Sequence, residues 1–301
     1  MKWRLLACLV VAAACLLMGV AAANAAALRV CADPNNLPFS DQAGQGFENK
    51  IIALIGRDLG DTVDYTWWAQ RRGYIRHTLK ADICDIWSGV ASGAEMMSST
   101  RPYYRSSYVF VTRRDRGLHI ASFDDPQLRK LIIGVQMVGS DAMNTPPAHA
   151  LARRGIVQNV RGYLLYGDYR QPHPPSAIID AVENGDIDVA VVWGPMAGYF
   201  AAQEAAPLTL EPTQPWPDGA GLPMAFDISM GVRRGDNALL QRLNDALERH
   251  RAAIAAVLAA YHVPLLPEAF AVPESPPLSA EINNVIGQSV KKRSLGSRRG
   301  R

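Results

Sequence analysis

Cysteine is scarce in this chain: there are four among 301 residues, and two of them, Cys8 and Cys15, fall in an N-terminal apolar run. The body is left with Cys31 and Cys84. The six histidines are scattered singly and no His or Cys pair stands at metal-ligand spacing, so no metal site is expected. Catalytic signatures are missing as well. There is no G-x-S-x-G nucleophile elbow, P-loop or H-E-x-x-H helix, and GQGFEN lacks the third Gly of a dinucleotide loop. No cofactor is expected, and the chain does not read as an enzyme. Nor does the body carry a cationic excess. Eight cations lie at the two ends, and removing them from the formal +3 leaves the part between near −5. That balance excludes a nucleic-acid-binding footprint. Past the N-terminal run, no apolar stretch is long enough to span a bilayer.

What is present begins with a leader. Lys2 and Arg4 precede an apolar run over residues 5–20, and Ala23-Asn24-Ala25 fits the small-residue cleavage rule. Residues 1–25 therefore read as a cleavable export signal to the periplasm. A membrane anchor would need a longer run, and acylation at Cys15 a branched residue before it. In an oxidising compartment Cys31 and Cys84 suit one disulfide, although two buried thiols would serve the same positions. The tail over residues 291–301 carries six cations and reads as a solvated, disordered end.

Periodicity gives alternating strands and helices. Residues 28–32, 63–68 and 83–90 have strand length, while Phe47, Ile51, Ile52, Leu54, Ile55 and Leu59 recur at helical spacing and stop at Gly60. Residues 74–80 read as a second helix. The result is a βαβαβ pattern with a parallel sheet. It starts again with a strand at 131–135 and a helix opened by Thr145-Pro146-Pro147 and closed by Gly155. The segments 75–89 and 178–195 share one plan of helix, turn, Asp, apolar strand and Trp-x-Gly or Trp-Gly, which suggests two similar lobes. Ligands of such sheets bind beyond the carboxyl ends of the strands. The loop after residue 32, Trp87-Ser88-Gly89, Val138-Gly139-Ser140-Asp141 and Trp193-Gly194-Pro195 all occupy such ends.

From residue 28 to about 263 the segments LRVCADPNNLPF, PYYRSSYVFVTRR, IGVQ, GDIDVAVV and ISMGVRRGDNALLQRLNDAL follow the landmarks of type II periplasmic solute-binding proteins of the amino-acid class, which the chain resembles. More narrowly, VCADPNNLPFS, GFENKI, QRRGYIRHTL, NTPPAHALARRGIVQNVRGY and VVWGPMAGYFAA resemble the group encoded beside pyrroloquinoline-quinone (PQQ) alcohol dehydrogenases, called MoxJ or XoxJ in methylotrophs. The resemblance implies an α/β fold of two lobes with a central cleft and a hinge of two crossing strands near 109–112 and 226–232. Lobe 1 would be 26–115 plus 224–263, lobe 2 would be 116–223, and 264–301 a tail. It also implies association with a quinoprotein alcohol or methanol dehydrogenase, or with its c-type cytochrome.

Departures from the amino-acid binders shape the expected site. Their Arg for the ligand carboxylate falls at Met96, after Glu95, and the Asp for the ammonium gives way to Trp193-Gly194-Pro195. Both handles for a zwitterion are missing. Trp87 and Trp193 stand at strand ends instead, with Phe39, Tyr103 and Tyr104 as further aromatics. The polar candidates are Asp33, Asn35 and Asn36 at the mouth, Gln70, Arg71 and Arg72 after the second strand, Ser88 and Gly89 after the third, and Gly139, Ser140 and Asp141 at a helix start. Each has a plainer role open to it: core packing for the aromatics, turn chemistry for the loop residues and a solvated turn for the arginines. The expected function is capture of a segment of the dehydrogenase or cytochrome to assist its maturation. The alternative is delivery of a small solute to an ABC permease, and a periplasmic dehydratase is the third reading.

Overall fold

The computed structural model describes residues 27–71, 73–138, 144–166, 168–218 and 221–267. The export signal, the basic tail, Arg72, Gly139, Ser140 and Asp141 lie outside the described residues. Strand β1 (Ala27–Ala32) runs between β4 (Thr62–Trp67) and β5 (Ile86–Ala91), parallel to both. Two short strands, β2 (Asn35–Asn36) and β3 (Ser40–Asp41), pair as a hairpin just beyond the end of β1. Helix α1 (Phe47–Leu59) follows, capped at both ends. Its Asn49 side-chain oxygen accepts from the Gly46 and Asp41 amides at 3.1 Å, and Gly60 closes it in the left-handed conformation at φ 69°. The apolar face of α1 buries Ile51, Ile52 and Ile55 completely, each contributing about 1.5–3 kcal/mol.

The ten-stranded sheet has the order β4-β1-β5-β12-β7-β10-β8-β9. Its turning point is β7 (Tyr104–Arg113). Residues 104–107 of β7 pair antiparallel with β12 (Ala225–Val232), and residues 108–112 pair antiparallel with β10 (Val189–Trp193). Beyond β10 lie β8 (Ile133–Met137) and β9 (Val160–Leu164), all three parallel, while β6 (Ser98–Ser99) pairs β12 and β11 (Leu208–Pro212) pairs β7. Thus β7 and β12 are the strands on which one half of the sheet passes into the other. The first half packs on α1 and on α6 (Asn237–Arg249) and α7 (Arg251–Ala260); the second carries α3 (Pro146–Arg153), α4 (Ala177–Glu183) and α5 (Gly194–Ala201).

Several element bounds differ from the sequence pattern for identifiable reasons. The third strand starts at Ile86 rather than 83, because Cys84 is bonded to Cys31 in a disulfide with Cα atoms 5.5 Å apart and the Asp85 carboxylate accepts from Arg29 at 2.6 and 2.7 Å. The second helix, α2 (Tyr74–His77), lasts one turn before a 3₁₀ turn at Leu79–Ala81. The long C-terminal stripe is broken at His250 into two helices. Behind the sheet, α5 packs so closely on the chain after α7 that a Cβ on Gly198 would overlap the His262 carbonyl. Ser106 Oγ donates to the Pro264 carbonyl at 2.7 Å in the same region, and the Tyr199 and Tyr261 rings stack 5.6 Å apart.

Candidate functional site

Where β1 ends, Asp33 is buried and its carboxylate organises the mouth of a cleft. It accepts from the Asn35 amide at 2.9 Å and from the Gln70 amide at 2.6 Å. The Tyr169 hydroxyl, which follows β9 in the other half of the sheet, donates to the same carboxylate. The Arg71 guanidinium sits 4.8 Å above the Tyr169 ring, and Asn35 Nδ2 donates to the Gln171 carbonyl at 3.2 Å. Asp33 and Asn35 therefore serve turn chemistry and also tie the two halves across the cleft. Asn36 Nδ2 donates to Gln70 Oε1 at 3.0 Å, fixing both amides on the inner wall.

Inside the mouth lies a cavity of about 450 Å³. Phe39, held edge-on against Phe47 at 5.4 Å, forms part of its first-half wall with Tyr104. Across from them Tyr108, Trp193 and Phe226 pack edge to face, with centroids 5.4–6.4 Å apart. Gln136 of β8 is buried beneath them; its Oε1 accepts from the Trp193 amide at 3.2 Å and its Nε2 lies 3.1 Å from Met196 Sδ. Leu165 and Tyr166 complete the lining.

Glu48 is the one charged side chain lining this cavity among the described residues. It stands in the first turn of α1 with its amide bonded to the Phe39 carbonyl at 3.0 Å, and it is buried. Its carboxylate accepts from Ser88 Oγ at 2.6 Å and lies over Gly89, where a Cβ would overlap it. Burial pushes the Glu48 carboxyl up to about 7 from its ordinary 4.5, against the opposing effect of the Ser88 bond. Tyr103, half-buried nearby, donates to the Ser88 carbonyl at 2.8 Å.

Of the residues expected from sequence, Asn36, Phe39, Gln70, Gly89, Tyr104 and Trp193 meet on the cavity, and Ser88 and Tyr103 support it from behind. Trp87, Arg71 and Met96 line a separate pocket of about 280 Å³ beside it, joined through Gln70 and Tyr166. Glu95 is exposed outside both, and Gly194 packs against the Ser107 carbonyl and Pro264. Glu48, Gln136, Tyr108, Tyr166 and Phe226 escaped the sequence reading. Glu48 had a signal: it is the acid on the apolar stripe that continues through Ile51, Ile52 and Ile55. No three His, Cys, Asp or Glu side chains come together to hold a metal ion among the described residues.

Residues 28–261 match the family described as bacterial extracellular solute-binding proteins, family 3. The chain is 33% identical over 271 residues to protein MoxJ of Paracoccus denitrificans, covering 85% of this chain and 95% of that one. Among solved structures it is similar to the periplasmic binding protein XoxJ from Methylobacterium extorquens, at 35% identity and a TM-score of 0.65, covering 80% of this chain and 100% of that one. MxaJ from Methlophaga aminisulfidivorans is similar at 25% identity and a TM-score of 0.70, with 79% and 100% covered.

Proposed function

We propose, for a chain that belongs to the family 3 extracellular solute-binding proteins and carries the type II periplasmic binding protein fold, a role in a PQQ-dependent alcohol or methanol dehydrogenase system. Its cleft receives a segment of the dehydrogenase, or of its cytochrome, and assists maturation. The observation that carries this reading is a set of exposed apolar side chains at or just after the carboxyl ends of four strands. Trp68 after β4, Met96 after β5, Val138 after β8 and Leu164 at the end of β9 are 44, 50, 45 and 62% exposed. Exposed large side chains at such strand ends are what a protein partner covers, and a solute enclosed in the cleft would leave them in water. Similarity to MoxJ, MxaJ and XoxJ supports the link to the dehydrogenase system. Lobes of 26–115 plus 224–263 and of 116–223 would move about β7 and β12, which carry the passage between the halves.

The cavity's size favours a second reading. About 450 Å³ lies within the range of small-molecule sites, so delivery of a solute to an ABC permease is the competitor. Co-elution and calorimetry with the apo and holo dehydrogenase of the same organism separate the two. Saturable binding, tighter to the apo form, is expected, and Trp193→Ala weakens it by about 2 kcal/mol or more. Binding to neither form, beside a clear heat from a small metabolite, installs the solute reading.

A further inference from the structure

The carboxyl of Glu48 is buried, with no cation beside it among the described residues of the cavity lining. Among the described residues no Arg, Lys or His lines the cavity, and the polar partner of the carboxylate is Ser88 Oγ. The Arg71 guanidinium is engaged outside, over Tyr169. The cavity that Glu48 lines is also lined by Tyr104, Tyr108, Tyr166, Trp193 and Phe226, aromatic rings of the kind that attract positive charge. The titratable groups that face Glu48 from neighbouring elements are Tyr65 of β4, Tyr74 of α2, Tyr103 and Tyr104. All four are phenols raised above their ordinary value by burial, so they are neutral at neutral pH and neutralise nothing.

We infer that this cavity binds an organic ammonium group that carries no carboxylate, with Glu48 as its counter-ion and the surrounding rings as its cage. An ammonium N–H donates to Glu48 and gains cation–π contact, while a ligand carboxylate would find no guanidinium among the described residues of the lining and would face Glu48. The amides of Asn36, Gln70 and Gln136 complete the polar lining. This rests on the cleft being the binding site, as proposed above, and names what it takes. The ammonium belongs to a free amine or to a lysine side chain of the docked segment.

Because Glu48 is half protonated near pH 7, a cation binds against the proton. Affinity therefore rises with pH, by about tenfold between about pH 6 and about pH 8. The probes are benzylamine and its neutral isostere benzyl alcohol, titrated into the full chain by calorimetry. Benzylamine should bind at least about tenfold tighter than the alcohol, tighten as pH rises, and lose both properties in Glu48→Gln, whose amide keeps the shape and the Ser88 bond. Equal binding of amine and alcohol to the unaltered chain, or amine affinity that falls with pH, overturns the inference with no variant needed. Displacement of the dehydrogenase by benzylamine assigns the ammonium to a partner lysine, and simultaneous binding assigns it to a free amine. If the dehydrogenase binds but benzylamine shows no preference, the inference falls and the function proposed above stands.

Discussion

Glu48 carries more consequence than any other residue here because it is an acid placed where α1 would otherwise bury a hydrocarbon. With a folded value of about 7 against an ordinary 4.5, the fold prefers the protonated form. Its contribution is therefore fully present below about pH 4.5 and is lost as pH rises through 7, a change of about 3 kcal/mol. Urea denaturation of the native protein and of Glu48→Gln across that interval should show the native protein losing about that much relative to the variant. Parallel curves would mean that Glu48 is hydrated. Its neighbours are equally particular. Ser88 supplies a hydroxyl that donates to the carboxylate, and Gly89 leaves room for it. At this scale the sequence showed Trp193 and Gly194 at a strand end, whereas Trp87, Ser88 and Gly89, expected at the end of the third strand, lie within β5, because pairing with β1 and β12 carries that strand on to Ala91. It did not show that residues 48 and 88 touch, since a separation of 40 residues is closed by packing alone.

Among the elements, the parallel unit β4-β1-β5 is tied between β1 and the start of β5 by the disulfide. Cys31 lies in β1 and Cys84 just ahead of β5, closing a loop with a sequence separation of 53. Replacing both by Ser should cost roughly 3–4 kcal/mol, read from the denaturation midpoint, and reductant should destabilise the native protein while leaving the variant unchanged. Insensitivity of the native protein to reductant would place its stability elsewhere. Sequence made α1 legible because its apolar stripe recurs at helical spacing and stops at Gly60. The start of β5 was less so. Residues 83–85 are apolar or small enough to read as strand, yet a covalent bond and the ion pairs of Asp85 with Arg29 and Arg233 hold them off the ladder.

For the molecule as a whole, the pairing of Asp33 with Tyr169 joins the loop after β1 to the segment after β9 across the cleft. A hydroxyl donating to a buried carboxylate is worth about 1.5–3 kcal/mol. Tyr169→Phe should therefore shift the balance toward more open conformers by about tenfold or more, seen as a larger radius of gyration in small-angle scattering. An unchanged profile would mean that closure depends on other contacts, such as Asn35 with the Gln171 carbonyl. This stage was partly legible: two halves of similar plan and a cleft at the strand ends follow from the repeated βα pattern. Which side chains cross that cleft did not follow, because Tyr169 lies in a loop with no periodicity.

The amino-acid sequence by itself determined the alternation of strands and helices, their caps, the absence of the Arg and Asp handles for a zwitterion, and the relation to solute-binding proteins. All of these are set within a few residues along the chain. The tertiary structure alone decided that Trp193 faces the cavity while Trp87 and Met96 face a side pocket, that Tyr108 and Phe226 meet on the crossing strands, and that Glu48 is enclosed. Burial, pairing and the cost of a charge depend on what packing brings from distant positions, and no local pattern encodes that.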